Sequence, residues 1–161
     1  AFSYPYMKRL TYWPQLFLGI TFNYGLLIGW TSIQENLSLI PIIFYIGAIF
    51  WTLGYDTIYG YQDIKDDEII GIKSTSIKFK NNPKKFLSLC YLITLSSIII
   101  TGLYMNFNNG YFLFLLIPAI HMFFQLKKLD IENSENCLKI FKSNNMLGLI
   151  IFINLLTGKL I

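Results

Sequence analysis

The chain has 161 residues, of which 54% are hydrophobic, 17% aromatic and 14% charged, with a formal net charge of +4. That balance excludes an ordinary soluble domain, whose apolar fraction is lower and whose charged fraction is nearer one quarter. The small positive charge is placed by membrane orientation, as shown below, and so excludes nucleic acid as its partner.

Five apolar runs approach the roughly 20 residues that a bilayer crossing needs. The first covers about 14–34, "PQLFLGITFNYGLLIGWTSIQ", and the second about 39–59. The third, about 86–105, carries no charge and follows Asn82-Pro83, a capping residue with proline in the first turn. The fourth covers about 110–126, and the fifth about 144–161 with Lys159 as its single charge. Strand alternation is absent and Leu and Ile dominate, so the fold class is an all-α membrane protein with five transmembrane helices. Pro41 and Pro118 are assigned to helix geometry, and His121 to helix packing in preference to metal binding. Asn23 is polar within the first span and suits either an interhelical hydrogen bond or a cavity wall.

Charge placement supports the count independently. If every run crosses once, 1–13, 60–85 and 127–143 share one face. Twelve of the 13 basic residues fall there: Lys8, Arg9, Lys65, Lys73, Lys78, Lys80, Lys84, Lys85, Lys127, Lys128, Lys139 and Lys142. This asymmetry marks a cytoplasmic or matrix face, and a miscount by one helix would scatter it. Cys90 and Cys137 lack metal-ligand or redox-motif spacing and read as free thiols. The opening "AFSYPYMKRLTYWPQ" has no initiating methionine and lies close to a span, as in a processed chain or a piece of a longer one.

Five carboxylates, Asp56, Asp63, Asp66, Asp67 and Glu68, crowd the end of the second run in "YDTIYGYQDIKDDEIIGIKSTSIKF". On one continuous helix, Asp56, Asp63 and Asp67 would fall within about 40° of one another, with Asp66 about 100° from Asp67. Acids so grouped repel unless a cation compensates. An oxygen-only donor set suits Mg²⁺, which takes one or two carboxylates and completes its shell with water and phosphate oxygens. A solvated acidic helix end balanced by lysines has equal weight on spacing alone. Lys73, Lys78 and Lys80 follow the acids and could receive an anionic diphosphate. "GIKST" is no phosphate-binding P-loop, because Lys73 does not follow Gly71 and the glycine required five residues earlier is Asp66.

The same segment resembles the second aspartate-rich signature of the UbiA superfamily of intramembrane prenyltransferases, in particular those that use 4-hydroxybenzoate in ubiquinone biosynthesis. "YPYMKRLTYWPQLFLGITFNYGLLIGW" and "CLKIFKSNNMLGLIIF" resemble the family's segments entering its fifth and last helices, so the resemblance covers essentially the whole chain. It implies a nine-helix bundle of which these five spans are helices 5–9, the chain being the C-terminal part of one UbiA-type domain with the first aspartate-rich motif missing. It implies Asp63 and Asp67 as metal ligands, with Asp56 as a further catalytic acid, and Mg²⁺ as the cofactor. Lys8, Arg9, Lys73, Tyr59, Asn144 and Asn145 become substrate-binding candidates, with Arg9 gripping the acceptor carboxylate. For Lys8 and Arg9 the alternative is headgroup anchoring, and for Asn144 and Asn145 it is capping of the last helix. Aromatic faces at Trp51, Tyr55 and Tyr59 could shield a cation.

The implied reaction joins the polyprenyl group of a polyprenyl diphosphate to 4-hydroxybenzoate, giving 3-polyprenyl-4-hydroxybenzoate. The expected partners are those two substrates, the lipid bilayer and the missing N-terminal half, without which the chain is expected to be inactive. The location implied is a bacterial or mitochondrial inner membrane. Two further classes fit the residues: a prenyltransferase for another aromatic acceptor, and a non-catalytic membrane remnant or assembly subunit.

Overall fold

The computed structural model describes residues 4–160, and Ile161, the last residue of the fifth expected span, lies outside them. The described residues are helical throughout, joined by short turns, and five spans emerge at Pro14–Gln34, Leu39–Gly60, Pro83–Tyr104, Asn109–Lys128 and Ser134–Lys159. A short α1 (Tyr4–Leu10) precedes them. Large apolar side chains such as Phe22, Ile33, Leu103, Phe123 and Phe152 are exposed on the outside. That pattern belongs to a protein solvated by lipid, in which apolar side chains gain nothing by turning inward.

Two spans are broken, each for a local reason. The first divides into α2 (Pro14–Phe22) and α3 (Gly25–Gln34). At the break the Asn23 side-chain amide donates to the Gly19 carbonyl (2.8 Å) and to Thr52 Oγ1 (2.8 Å), meeting backbone and neighbour groups that lipid could not satisfy. The fourth divides at Leu115 into α8 (Asn109–Phe114) and α9 (Leu116–Lys128). Pro118 causes this interruption, since its ring removes the N–H that would bond the Phe114 carbonyl and crowds that oxygen. Pro41 breaks nothing. It occupies the first turn of α4 (Leu39–Gly60), where no backbone N–H has an intrahelical acceptor.

The most extensive helix contact joins α4 to α7 (Pro83–Tyr104). Gly47 and Gly54 lie two turns apart on one face of α4 and admit α7 closely. A β-carbon on Gly47 would run into the Ser97 side chain, and one on Gly54 would stand 3.3 Å from the Tyr91 ring. The close approach lets Thr94 Oγ1 donate to the Gly47 carbonyl (3.1 Å), the small-residue packing on which membrane helices rely.

The last helix, α10, runs from Ser134 to Leu160, beginning ten residues before the apolar run at Asn144. At about 1.5 Å per residue its 27 residues span about 40 Å, more than a bilayer core of about 30 Å. Its first turns, with Glu135, Lys139 and Lys142, therefore stand clear of the hydrocarbon. Cys137 lies in those turns, fully buried against the 129–131 turn with its thiol donating to the Asp130 carbonyl (3.3 Å). Cys90 is also buried and free.

Gly47→Val should lower stability by about 1–3 kcal/mol through overpacking against Ser97. Gly29→Ala, where nothing lies within 4 Å of the added carbon, should leave the melting temperature in detergent unchanged. Equal tolerance of both would show that α4 and α7 do not meet at Gly47.

Candidate functional site

The acid-rich segment does not continue α4. The helix ends at Gly60, residues 61–63 turn, and α5 (Ile64–Ile70) begins after Asp63, which holds its N-cap position. The angular argument that placed Asp56, Asp63 and Asp67 on one face required a continuous helix and loses its basis at this turn. Among the described residues no group of three or more His, Cys, Asp or Glu side chains is arranged to hold a metal ion. What persists is the pair one turn apart: Asp67 N–H bonds the Asp63 carbonyl (2.9 Å). Asp63 is exposed and Asp67 half-buried, while Asp56 remains on the last turn of α4. Two oxygen donors of this kind fit Mg²⁺, whose shell takes its other oxygens from water and phosphate.

The turn is held in place by the residues that follow it. "STS" starts the single turn α6 (Thr75–Lys78), with Ser74 Oγ capping Ile77 N–H (3.2 Å). All three of these side chains are buried. Thr75 N–H donates to Gln15 Oε1 on α2 (3.0 Å), and Thr75 and Thr57 share a hydroxyl hydrogen bond (2.6 Å). Ser76 Oγ donates to the Thr57 carbonyl (2.8 Å). Gly60 is required beside it, since a β-carbon there would collide with the Ser76 hydroxyl. A loop that reads as a run of small polar residues is thus riveted to the ends of α2 and α4.

This closure brings the acids to the basic N-terminal segment. Lys73 N–H donates to the Lys8 carbonyl (2.8 Å), tying the end of the acid segment to α1. Burial pushes the Asp67 carboxyl above the ordinary carboxylate range; Lys8 opposes the shift, and the charges of Asp63 and Asp66 add to it. Lys8, Asp63 and Asp67 therefore form one neighbourhood, which the Lys73 backbone joins while its ammonium lies 5.7 Å from the centre of the Tyr12 ring. Arg9 is next to Lys8 and exposed. The other lysines are engaged elsewhere: Lys80 pairs with Glu68, and Lys78 Nζ lies 4.4 Å from the centre of the Trp13 ring.

A cavity of about 370 Å³ opens between α4 and α10, walled by Trp51, Thr52, Tyr55, Phe141, Asn144, Asn145 and Gly148, with Phe22 and Asn23 from the first span. Tyr55 meets Trp51 and Phe141 edge-on at 5.8 Å each, and Tyr59, which does not line the cavity, packs at 4.8 Å on Phe141 in a tilted arrangement. Asn144 is buried, and its Oδ1 accepts from Trp51 Nε1 (3.0 Å). Because α10 starts at Ser134, Asn144 is mid-helix and does not cap it; Asn145 is exposed at the cavity. Asn23, Trp51 and Gly148 also line a second, apolar cavity of about 210 Å³ that reaches Phe44, Ile98 and Leu155. Trp51 therefore divides a polar mouth from an apolar recess. Its bond to a residue 93 positions away has no local sequence signal.

The raised Asp67 value has a defined linkage. Its ionised form is disfavoured by folding, so this group favours the folded state most at low pH and loses that contribution as pH rises through its folded value. Asp63→Asn should lower the Asp67 titration midpoint by removing a repelling charge, and Lys8→Gln should raise it. Carboxyl ¹³C NMR titration in micelles reads both, and an unmoved midpoint would separate Asp67 from these neighbours.

Comparison with known proteins supplies the family. The profile described as the UbiA prenyltransferase family matches residues 1–156. A protein of Bos taurus named "4-hydroxybenzoate polyprenyltransferase, mitochondrial" is 42% identical over 159 residues, covering 98% of this chain and 43% of its own length. The Homo sapiens protein of that name is 40% identical over 159 residues, covering 98% and 43%, and that of Drosophila melanogaster 39% over 160 residues, covering 99% and 41%. The chain thus spans less than half the length of these relatives. No solved structure matches it significantly. With the family's profile matched along nearly all its residues, the chain belongs to the UbiA prenyltransferase family.

Proposed function

We propose that this chain forms the diphosphate-gripping part of an intramembrane 4-hydroxybenzoate polyprenyltransferase of ubiquinone biosynthesis. The observation that carries the reading is the docking of the acid turn on α1, which sets Asp67, with Asp63 one turn away, against the charge of Lys8. The relatives' shared name supplies the acceptor and the polyprenyl group that is transferred. Their added length motivates the reading of these spans as helices 5–9 of nine, completed by an N-terminal half carrying the first acidic motif. The relatives' mitochondrial names favour the mitochondrial inner membrane, and the positive-inside asymmetry favours the acid turn on its matrix side.

Asp63 and Asp67 would hold Mg²⁺, which when bound supplies charge to neutralise a diphosphate. Lys8 adds positive charge at the same place, and Lys73, whose ammonium rests over the Tyr12 ring, would turn from it to join the diphosphate. The bond between the first prenyl carbon and the diphosphate oxygen breaks, and the oxygen leaves with the electron pair. The allylic carbon is then attacked by the ring carbon ortho to the phenol, and the proton on that ring carbon is lost. Asp56, next to the cavity residue Tyr55 on α4, is assigned to that acid–base work. The faces of Trp51, Tyr55 and Tyr59 shield the developing cation from water, and the recess behind Trp51 accepts apolar chain. Asn144 positions Trp51 through its indole N–H, and Asn145 offers a polar group at the mouth. Arg9 is assigned to the acceptor carboxylate, which a guanidinium grips through paired hydrogen bonds.

The test is a Mg²⁺-dependent prenyl-transfer assay on the chain completed by its upstream segment, the 161 residues alone being inactive in this reading. Asp63→Asn and Asp67→Asn should each reduce kcat/KM by 100-fold or more, on the order of 3 kcal/mol. Asp66→Asn should cost less than tenfold. Equal losses at all three would defeat the assignment of the paired acids.

Arg9→Lys keeps the charge and removes the planar fork. It should raise KM for 4-hydroxybenzoate about tenfold with KM for the prenyl diphosphate nearly unchanged. Equal weakening of both substrates, or wild-type behaviour, would identify Arg9 as a headgroup anchor.

A further inference from the structure

Helix α10 presents two different faces over its first turns, each with the spacing i, i+3, i+4, i+7 that aligns residues on one side of a helix. Phe141, Asn144, Asn145 and Gly148 line the cavity described above. Asn136, Lys139, Ile140 and Ser143 turn instead to α9, and with His121, Phe124, Gln125 and Lys128 they enclose a separate cleft of about 540 Å³. The two sites share no lining residue.

The cleft has a built polar floor. Gln125, only 5% exposed, accepts from the Tyr91 hydroxyl (2.6 Å) and donates to Ser143 Oγ (2.8 Å), so it is fixed from two helices. Asn136 gives its side-chain oxygen to Asp130 N–H (3.0 Å), which leaves its amide donor for a ligand. Lys128 and Lys139 bring two positive charges from different helices, and neither forms an ion pair among the described residues. No carboxylate lines the cleft. Deeper in, His121 Nδ1 is buried with no hydrogen-bond partner among the described residues. Two ammonium groups sharing a cleft with fixed donors and no acid call for an anion.

Depth identifies the class of anion. Lys128 ends the fourth span, at the level where a bilayer places its phosphates, and His121 lies seven residues deeper, about 10 Å down the helix. Phe124 lies between them in the cleft, while Ile117, Ile120 and Phe123 expose an apolar α9 surface beside it. We propose that this cleft is a binding site for a phosphate-bearing anion, with the headgroup of an anionic membrane phospholipid as its source. The phosphate lies between Lys128 and Lys139 near the Asn136 amide, and the acyl chains descend along α9. Basic clefts between membrane helices suit such headgroups because the charge is met at the interface while the tails stay in lipid.

The test uses the chain completed by its upstream segment, in zwitterionic detergent, with bound lipid counted by native mass spectrometry. Dioleoyl phosphatidylglycerol is compared with phosphatidylcholine of the same chains and with inorganic phosphate. Lys128→Gln/Lys139→Gln should weaken phosphatidylglycerol binding at least tenfold with unchanged helical circular dichroism. Lys127→Gln/Lys142→Gln removes the same net charge outside the cleft and should change it less than twofold. Pocket-dependent binding of inorganic phosphate without phosphatidylglycerol would keep the anion site and assign it to free phosphate. Equal losses in the two double variants would mean diffuse attraction to a basic face and overturn the proposal. Failure to prefer either phosphate ligand over phosphatidylcholine would overturn it as well.

Discussion

The hydrogen-bonded clamp of Gln15, Thr57 and Thr75 is the constraint from which the functional end of this protein follows. An unpaired N–H or hydroxyl buried among helix ends costs about 1–3 kcal/mol, so each member has its partner or the loop opens. Closed, the clamp turns the chain back after α5 and presses residues 74–76 between α2 and α4. The acid turn is the part of the loop that this closure leaves outside. Asp67 is half-buried within reach of the Lys8 charge, and the bond from Lys73 N–H to the Lys8 carbonyl ties the segment to α1.

A repulsive site of this kind stands only because something else holds it. Asp67 is disfavoured as an anion by burial and by two neighbouring acids, and one lysine offsets part of that cost. The acids do not stabilise their own arrangement; the clamp and α1 impose it. The site's charges are held together by the scaffold around them rather than by one another. Lys80 pairs with Glu68, and the ammonium groups of Lys78 and Lys73 lie over the Trp13 and Tyr12 rings, so packing leaves Lys8 as the lysine that acts on Asp67.

Helix α10 shows how one element serves two surroundings. Its length beyond the hydrocarbon allows a stretch with both lysines and asparagines to be helical, since the charged residues lie in the interface. The cavity face carries Asn144 and the small Gly148, whose added β-carbon would sit 3.0 Å from the Trp51 ring. The opposite face supplies Lys139 and Ser143 to the cleft against α9. The cleft face depends on the helix starting at Ser134, ten residues before the apolar run at Asn144.

The membrane class, five spans and family were legible in the sequence because a bilayer imposes a length and a composition on each crossing, and because the acid signature is contiguous. Pro118 as a helix modifier and Asn23 as a polar bridge were legible too, each through a property of its own side chain. The break at residues 61–63 was not, since Tyr, Gln and Asp are compatible with helix and only the clamp's pull on residues 74–76 requires a turn there. That break replaced a three-acid face by the Asp63–Asp67 pair. Nor could sequence find Gln15 beneath the acid loop, Trp51 against Asn144, or the lysines of α9 and α10 in one cleft. Those relations join residues far apart in the chain, and only helix packing decides which distant polar groups meet.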